Sequence, residues 1–180
     1  NQGEKGMNEV INAILSRRSC KKYKPDMVPD LLIDQVIEAG LYAASAMGWQ
    51  SPIILAVKDR DTRDLLSGLN AKYDPFKRKD PFYGAPVVLA VLVEKKVRTA
   101  VYDGSLVLGN MMLAAHALGI GSCWIHRAKE EFETPECKEL LASLGITGDY
   151  EGIGHCVIGY VNGDVPAARE RKADYVYYVK

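Results

Sequence analysis

The sequence predicts an α+β fold of three layers, α/β/α, in which helices cover both faces of one sheet. Helical patterns and short apolar runs follow one another in the order ααβαβαβαβ, which is typical of a sheet packed between helices. Two of the apolar runs are continuous, as in strands buried on both faces. A length of 180 residues and a hydrophobic content of 48% suit one domain, which we assign to residues 7–180.

Two amphipathic helices open the predicted domain. Apolar residues recur at helical spacing over residues 8–17, and this first helix should end near Arg18. The second helix should begin at Pro29, since proline is tolerated in a first helical turn, and run to about Ala44.

The middle of the chain predicts two buried strands around one helix. Residues 45–52 break the helical pattern, and the apolar run 53–57 follows as a strand that we expect to be central. Residues 61–69 predict a short helix, and residues 70–82 an irregular, charged segment. The run PVVLAVLV at 86–93 predicts a second, fully buried strand.

The last part of the chain completes the alternation. Residues 102–118 form a helix with few charges, which should be central and also face a partner subunit. Residues 123–125 and 155–160 predict strands, and residues 130–144 predict a helix between them. The terminal run 175–179 has strand composition but no room for a hairpin, so it should join a sheet elsewhere.

Composition excludes several classes of protein. Lysine plus arginine total 23 and aspartate plus glutamate total 23, so no general field would hold nucleic acid or an anionic membrane. The four cysteines have no metal-ligand spacing, so we predict no metal site, and no run is long enough to span a membrane. We therefore expect a cytoplasmic protein, with residues 1–6 a disordered lead or a remnant of cloning.

The stretch SRRSCKKY, residues 16–23, places four cations within six residues directly after the first helix. Two guanidinium groups, a hydroxyl and an ammonium group supply the donors and charge that a phosphate monoester needs. Three charge-assisted hydrogen bonds would contribute roughly 5–9 kcal/mol gross, against about 8 kcal/mol for micromolar affinity. The alternative is a solvated basic helix end, and composition leaves both open.

Four segments in order carry a resemblance to a known family. SRRSCKKY resembles the R-R-S-x-R-x-[FY] opening of the FMN-dependent nitroreductases. AASAMGWQSP, residues 43–52, is similar to the loop after their second helix. DGSLVLGNMMLAAHALGIGSCWI, residues 103–125, resembles their long central helix and the next strand. GYVNGDVPAARERK, residues 159–172, is similar to their late basic motif.

This resemblance implies a homodimer with FMN at the interface between the subunits. The implied fold has a mainly antiparallel sheet flanked by helices, with the C-terminal strand added to the partner's sheet. The implied activity is a ping-pong hydride transfer from NAD(P)H, through FMN, to nitroaromatics, quinones or related acceptors. Because the cofactor carries the hydride chemistry, no side-chain acid or base is assigned.

The resemblance also implies which residues hold the phosphate of FMN. Arg17, Arg18 and Ser19 match the family's phosphate-binding positions, and Lys21 stands where arginine is usual. Lysine keeps the charge there but loses the bidentate fork. Among the late basic residues, Arg171 with Arg169 matches the group that completes the phosphate site, although a charged tail in solvent remains the alternative.

Further positions are implied to contact the flavin. Ser45 and Gln50 match polar contacts from the neighbouring subunit, while Gly48 stands where many members have asparagine.

In the family, a second segment lays its backbone donors against the flavin ring. The resemblance matches this segment to Trp124, Ile125 and His126. His126 and Arg127 replace glycines there, so the His126 side chain either reaches the substrate or is a plain surface histidine. Asn70 lies near a region that supplies an amide to the ring edge in relatives.

Alternatives from other classes stay open at this point. The chain could be a flavin carrier or redox sensor without turnover, or a phosphate-binding or interaction module without flavin. Within the family, dehalogenation and ene reduction are open as well. Cys20, although it lies beside two arginines, is read as inert, since a thiolate would compete with phosphate for their charge.

Overall fold

Four strands form one antiparallel sheet in a computed structural model that describes residues 8–180. Along the sheet the strand order is β1-β2-β4-β3. The strands are β1 (Ile53–Val57), β2 (Val87–Glu94), β3 (Gly121–Ile125) and β4 (Tyr150–Gly159). The assignment of residues 1–6 as a lead lies outside the described residues.

Helices cover both faces of this sheet. The first face packs on α2 (Asp30–Leu41) and α4 (Ala100–Ala117), and the second on α3 (Arg60–Lys72), α5 (Ala128–Glu131) and α6 (Pro135–Ser143). A short helix, α1 (Glu9–Ser16), lies against α4. The predicted three-layer architecture is therefore confirmed.

Alternation along β2 explains why both faces are apolar. Val87, Leu89 and Val91 lie in the core beside α2 and α4, whereas Val88, Ala90 and Leu92 lie in the core on the opposite face. Since successive side chains of a strand point to opposite faces, an unbroken apolar run serves two cores at once.

The strand predicted to be central, β1, is instead an edge strand. It pairs only with β2 among the described residues, and its Ala56 is exposed. Its apolar run was misleading, because a short run of this kind marks burial on two faces and carries no information about the number of neighbouring strands.

One predicted helix, 130–144, is two helices. Between α5 and α6, Thr134 caps the second helix by accepting a hydrogen bond from the Cys137 backbone N–H at 3.4 Å, and Pro135 follows at the first helical position. A threonine cap before proline is a helix start, so the pattern contained the break. Other bounds also differ: α2 ends at Leu41, α3 extends to Lys72, and β3 and β4 begin earlier than predicted, at Gly121 and Tyr150.

The C-terminal tail does not join the sheet of its own chain. Residues 175–179 are exposed, and Val179 is fully so. Their predicted addition to a partner's sheet stays a prediction. Within residues 8–180, no helix combines the length and the apolar character that crossing a bilayer requires.

Candidate functional site

A cleft of about 970 Å³ separates the basic segment after α1 from the segment after β4. The residues around it come from two parts of the chain, residues 14–22 and residues 161–171. Six of the sequence-predicted residues line it: Arg17, Arg18, Ser19, Lys21, Arg169 and Arg171.

Backbone hydrogen bonds hold the basic segment against the sheet. The Cys20 N–H donates to the Ser122 carbonyl of β3 at 2.9 Å, and the Lys24 N–H donates to the Tyr160 carbonyl at 2.8 Å. In return, the Asn162 N–H donates to the Lys22 carbonyl at 3.0 Å. The segment is therefore fixed to two strands, which orients its side chains.

Tyr23 anchors this segment in the core. Its hydroxyl donates to the Cys20 carbonyl at 2.7 Å, and burial raises the pKa of the phenol above its ordinary range. Its ring lies over Gly121 and Gly159, which pair across β3 and β4; a Cβ on Gly159 would lie 2.9 Å from the ring, and one on Gly121 3.2 Å from it. The two glycines leave the space that the ring fills.

The arginines of the cleft differ in their contacts. Arg17 Nη1 is buried and has no hydrogen-bond partner among residues 8–180. Arg18 Nη1 donates to the Leu15 and Arg17 carbonyls, each at 2.7 Å, and so caps the end of α1. Arg171 folds back onto the Arg169 carbonyl at 2.7 Å. Arg17 therefore carries the donor that most needs a partner.

Sequence reasoning did not single out the charged residue Asp164, and it read the Cys20 thiol as inert. Asp164 also lines the cleft, and only its place after the Gly163 turn could have pointed to it. Burial raises the pKa of the Cys20 thiol, and a Ser122 backbone contact and the charge of Arg17 offset this only in part. Cys20 is therefore protonated at neutral pH, in agreement with its reading as inert.

The loop with Ser45 and Gln50 lies elsewhere in the chain and does not line the cleft. The Gln50 N–H donates to Ser45 Oγ at 3.0 Å, and Gln50 has a φ of 53°. Buried Asp103 of α4 holds the loop, because its Oδ1 accepts from the Ala46 N–H at 3.0 Å and its Oδ2 accepts from the Thr99 hydroxyl at 2.7 Å.

The end of β3 presents the remaining predicted residues, Trp124, Ile125 and His126. Ile125 is buried, while the rings of Trp124 and His126 are exposed and stack with centroids 5.3 Å apart. Backbone groups alternate between the two edges of a strand, so those of Trp124 point to the edge that carries the Ser122 carbonyl and the basic segment. The predicted phosphate and ring contacts thus share one sheet edge.

Asn70, which lies near a region that supplies an amide to the ring edge in relatives, bonds to other groups of the protein here. It is fully buried in α3; its Nδ2 donates to the His126 carbonyl at 2.8 Å and to Glu131 Oε2, and its Oδ1 accepts from Arg127 Nε at 3.0 Å. The Arg127 side chain also forms an ion pair, in which its Nη1 lies 3.7 Å from Asp74 Oδ1. No sequence pattern signalled this arrangement.

Comparison with known proteins places this fold and site in one family. The model of the Nitroreductase family matches residues 14–165. A crystal structure of a nitroreductase with bound FMN from Bacteroides fragilis is 30% identical, with a TM-score of 0.85 over 96% of this chain and all of that one. An FMN-dependent nitroreductase from Clostridium difficile is 25% identical, with a TM-score of 0.80 over 95% and 99%.

Curated relatives are similar over shorter lengths. A Methanothermobacter thermautotrophicus protein, provisionally named NADH dehydrogenase/NAD(P)H nitroreductase, is 29% identical over 68% of this chain and 63% of its own length. The FMN reductase [NAD(P)H] of Bacillus subtilis is 29% identical over 64% of this chain and 53% of its own length. Since the family model extends from the basic segment to the turn after β4, the chain belongs to the Nitroreductase family.

Proposed function

We propose that this protein is an FMN-dependent oxidoreductase that takes hydride from NAD(P)H and reduces nitroaromatics, quinones or related acceptors. Membership of the Nitroreductase family supports the proposal, as do relatives that bear the names FMN reductase and NAD(P)H nitroreductase. The observation that carries it is the cleft, where a buried guanidinium nitrogen of Arg17 has no protein partner within residues 8–180.

The residues of the cleft fit the phosphate of FMN. A phosphate monoester is nearly doubly charged and has three strong acceptor oxygens, so it needs several donors in a small volume. Arg17 supplies a buried donor, Ser19 an exposed hydroxyl and Lys21 an exposed ammonium group. Arg169 and Arg171 add charge from the opposite wall, and Asp164 reduces the net charge there.

The flavin ring would lie along the free edge of β3, near the backbone of Trp124, Ile125 and His126. When bound, FMN supplies the hydride chemistry, and the protein supplies position and electrostatics. The stacked pair of Trp124 and His126 offers an apolar surface beside that edge, on which a planar substrate can stack.

A homodimer is part of the proposal. The outer edge of β1 has no strand beside it among the described residues, and an apolar groove of about 500 Å³ adjoins it, lined in part by Leu140, Leu144 and Ile146. The exposed tail, residues 175–179, has the aromatic and β-branched composition of a strand that could pair there in the partner. We further propose that Ser45 and Gln50 contact the flavin of that partner.

A cytoplasmic location also belongs to the proposal. All four cysteines are free and buried, and free thiols persist in a reducing compartment.

The test is the visible spectrum of the purified protein and its response to NADH and NADPH, each added separately without oxygen. We expect a yellow protein whose absorbance bleaches with at least one nicotinamide and returns when a quinone is added. A colourless protein that takes up no added FMN would contradict flavin binding. A yellow protein that neither nicotinamide bleaches would instead indicate a flavin carrier or sensor.

A further inference from the structure

A buried polar network connects the core to the turn after β3, and the proposed site does not account for it. Its members, which we call the Asn70 network, are Asn70, Asp74, Arg127, Glu131 and His155. Four of them are at most 4% exposed, and only the Arg127 side chain reaches the surface, at 13%. Buried polar groups are costly unless they find partners, and two atoms of this network, Glu131 Oε1 and His155 Nδ1, have none within residues 8–180.

The core end of the network is rigid. His155 of β4 is fully buried, contacts the edge of the Phe82 ring with centroids 5.2 Å apart, and lies 2.7 Å from Glu131 Oε2 through its Nε2. The same carboxylate oxygen accepts from Asn70 Nδ2. Asn70 is thus tied to the sheet and to α5, and its amide plane is fixed.

The other end of the network fixes one peptide group. Asn70 Nδ2 donates to the His126 carbonyl at 2.8 Å, and Arg127 Nε donates to Asn70 Oδ1 at 3.0 Å. The nitrogen and the oxygen of the Asn70 amide therefore bond to adjacent residues of the same turn. Because the carbonyl of His126 and the side chain of Arg127 are both held, the peptide between them cannot rotate freely.

The backbone of this turn has an uncommon conformation. Arg127 has a φ of 75°, in the left-handed region that residues with a Cβ rarely adopt. A glycine would adopt it without strain but would be free to leave it. Arginine stays there because its own side chain bonds to Asn70 and approaches Asp74.

The held turn leaves its amides available. Among residues 8–180, no backbone or side-chain acceptor pairs with the N–H of His126 or Arg127. These amides lie directly after Trp124 and Ile125, at the end of the sheet edge assigned to the flavin ring.

We propose that Asn70 and Arg127 are positioning residues: together they fix the His126–Arg127 peptide and so orient its N–H, a backbone donor at the end of the edge assigned to the flavin ring. This inference rests on the proposed function, because the ligand proposed for that donor is FMN. Neither side chain needs to touch the cofactor. Their effect reaches it through the backbone alone.

Three variants test the proposal: Asn70→Ala, Arg127→Gly and the two combined. Lys129→Ala is the matched control, since it removes an exposed cation from α5, directly after the turn, without contact to Asn70. Three quantities are measured: the hydrogen exchange of the Glu131 amide in the FMN-free chain, the Kd for FMN, and kcat with KM for the nicotinamide. The Glu131 N–H reports on the turn because it donates to the Arg127 carbonyl at 3.1 Å.

We expect exchange of the Glu131 amide to rise about tenfold in both single variants, since the turn that supplies its acceptor loses its restraint. The Kd for FMN should rise roughly three- to tenfold, the effect of one misplaced hydrogen bond. The kcat should fall while KM changes little. The combined variant should add little to either single one, because both remove the same restraint. Lys129→Ala should match wild type throughout.

Unchanged exchange in both single variants would overturn the restraint. Faster exchange with unchanged Kd and kcat would overturn the role toward the flavin, leaving the network purely structural. Should Asn70→Ala not fold, Arg127→Gly decides the question, since glycine accepts the same backbone conformation. A wild-type chain without flavin would overturn the proposed function first, before any variant is compared.

Discussion

At the scale of single residues, neighbouring arginines have different roles. Arg17 presents a buried nitrogen without a partner among the described residues, whereas Arg18 bonds to two carbonyls at the end of α1. The first arrangement is unfavourable in the free protein and becomes favourable when an anion is bound. The second already stabilises the helix that presents the site.

We therefore predict that Arg17→Ala weakens FMN binding roughly 10- to 150-fold, the effect of losing one charge-assisted hydrogen bond. The FMN-free protein should lose no free energy of unfolding, because Nη1 makes no hydrogen bond that the substitution could remove. Titration of the FMN-free variant with FMN and urea denaturation measure the two effects.

Arg18 and Lys24 provide the comparison. Arg18→Ala should weaken FMN binding and also destabilise α1 by about 1 kcal/mol, through the two lost bonds. Lys24→Ala removes an exposed cation that does not line the cleft and should leave both quantities unchanged. Wild-type FMN affinity in Arg17→Ala would contradict the phosphate role.

At the scale of elements, the basic segment depends on the two glycines beneath Tyr23. We predict that Gly121→Ala destabilises the protein by about 1–3 kcal/mol, since its Cβ would lie 2.5 Å from Val161 and 3.2 Å from the Tyr23 ring. The segment must then move, so the Kd for FMN should rise as well. Urea denaturation and FMN titration measure both changes.

Gly68→Ala is the control for that substitution. Gly68 lies inside α3, and an added Cβ would meet no atom within 4 Å. Alanine there should stabilise the helix by about 0.5–1 kcal/mol without effect on FMN. If both substitutions behaved alike, the Tyr23 packing would not govern the site.

The same elements show what sequence could reach. The basic segment, the helical periods and the buried run of β2 were predictable, because charge, period and apolar content are local properties. Only the family resemblance predicted that residues 17–21 and residues 169–171 lie at one site, because no local sequence pattern connects residues so far apart in the chain. The contacts of Asn70 were not predictable, because the helical period fixes the face of α3 and not the turn that this face meets.

At the scale of the whole molecule, the two edges of the sheet differ. The edge at β3 carries the basic segment and the cleft, whereas the edge at β1 has no further strand within residues 8–180 and adjoins an apolar groove. An open strand edge is a place for association, and the exposed tail has the composition to fill it. We therefore propose that one edge holds the cofactor and that the other takes the C-terminal tail of a second subunit.

Deletion of residues 175–180 should convert the dimer into monomers at micromolar concentration, because the strand that spans the subunits is lost. Sedimentation at several concentrations measures the change. Asp164 and Val165 are exposed residues that precede the tail, and replacing both by serine should leave the dimer intact. A truncated chain that sediments as the wild-type dimer would contradict the strand exchange.

The attachment of the Ser45–Gln50 loop to Asp103 has a consequence for engineering. Transplanting this loop alone into a relative would leave behind the group that holds it. The Asp103 carboxylate that bonds to the loop comes from α4, and the Thr99 hydroxyl orients that carboxylate. A working chimera must therefore carry both pieces, although they are separated by about fifty positions in the gene product.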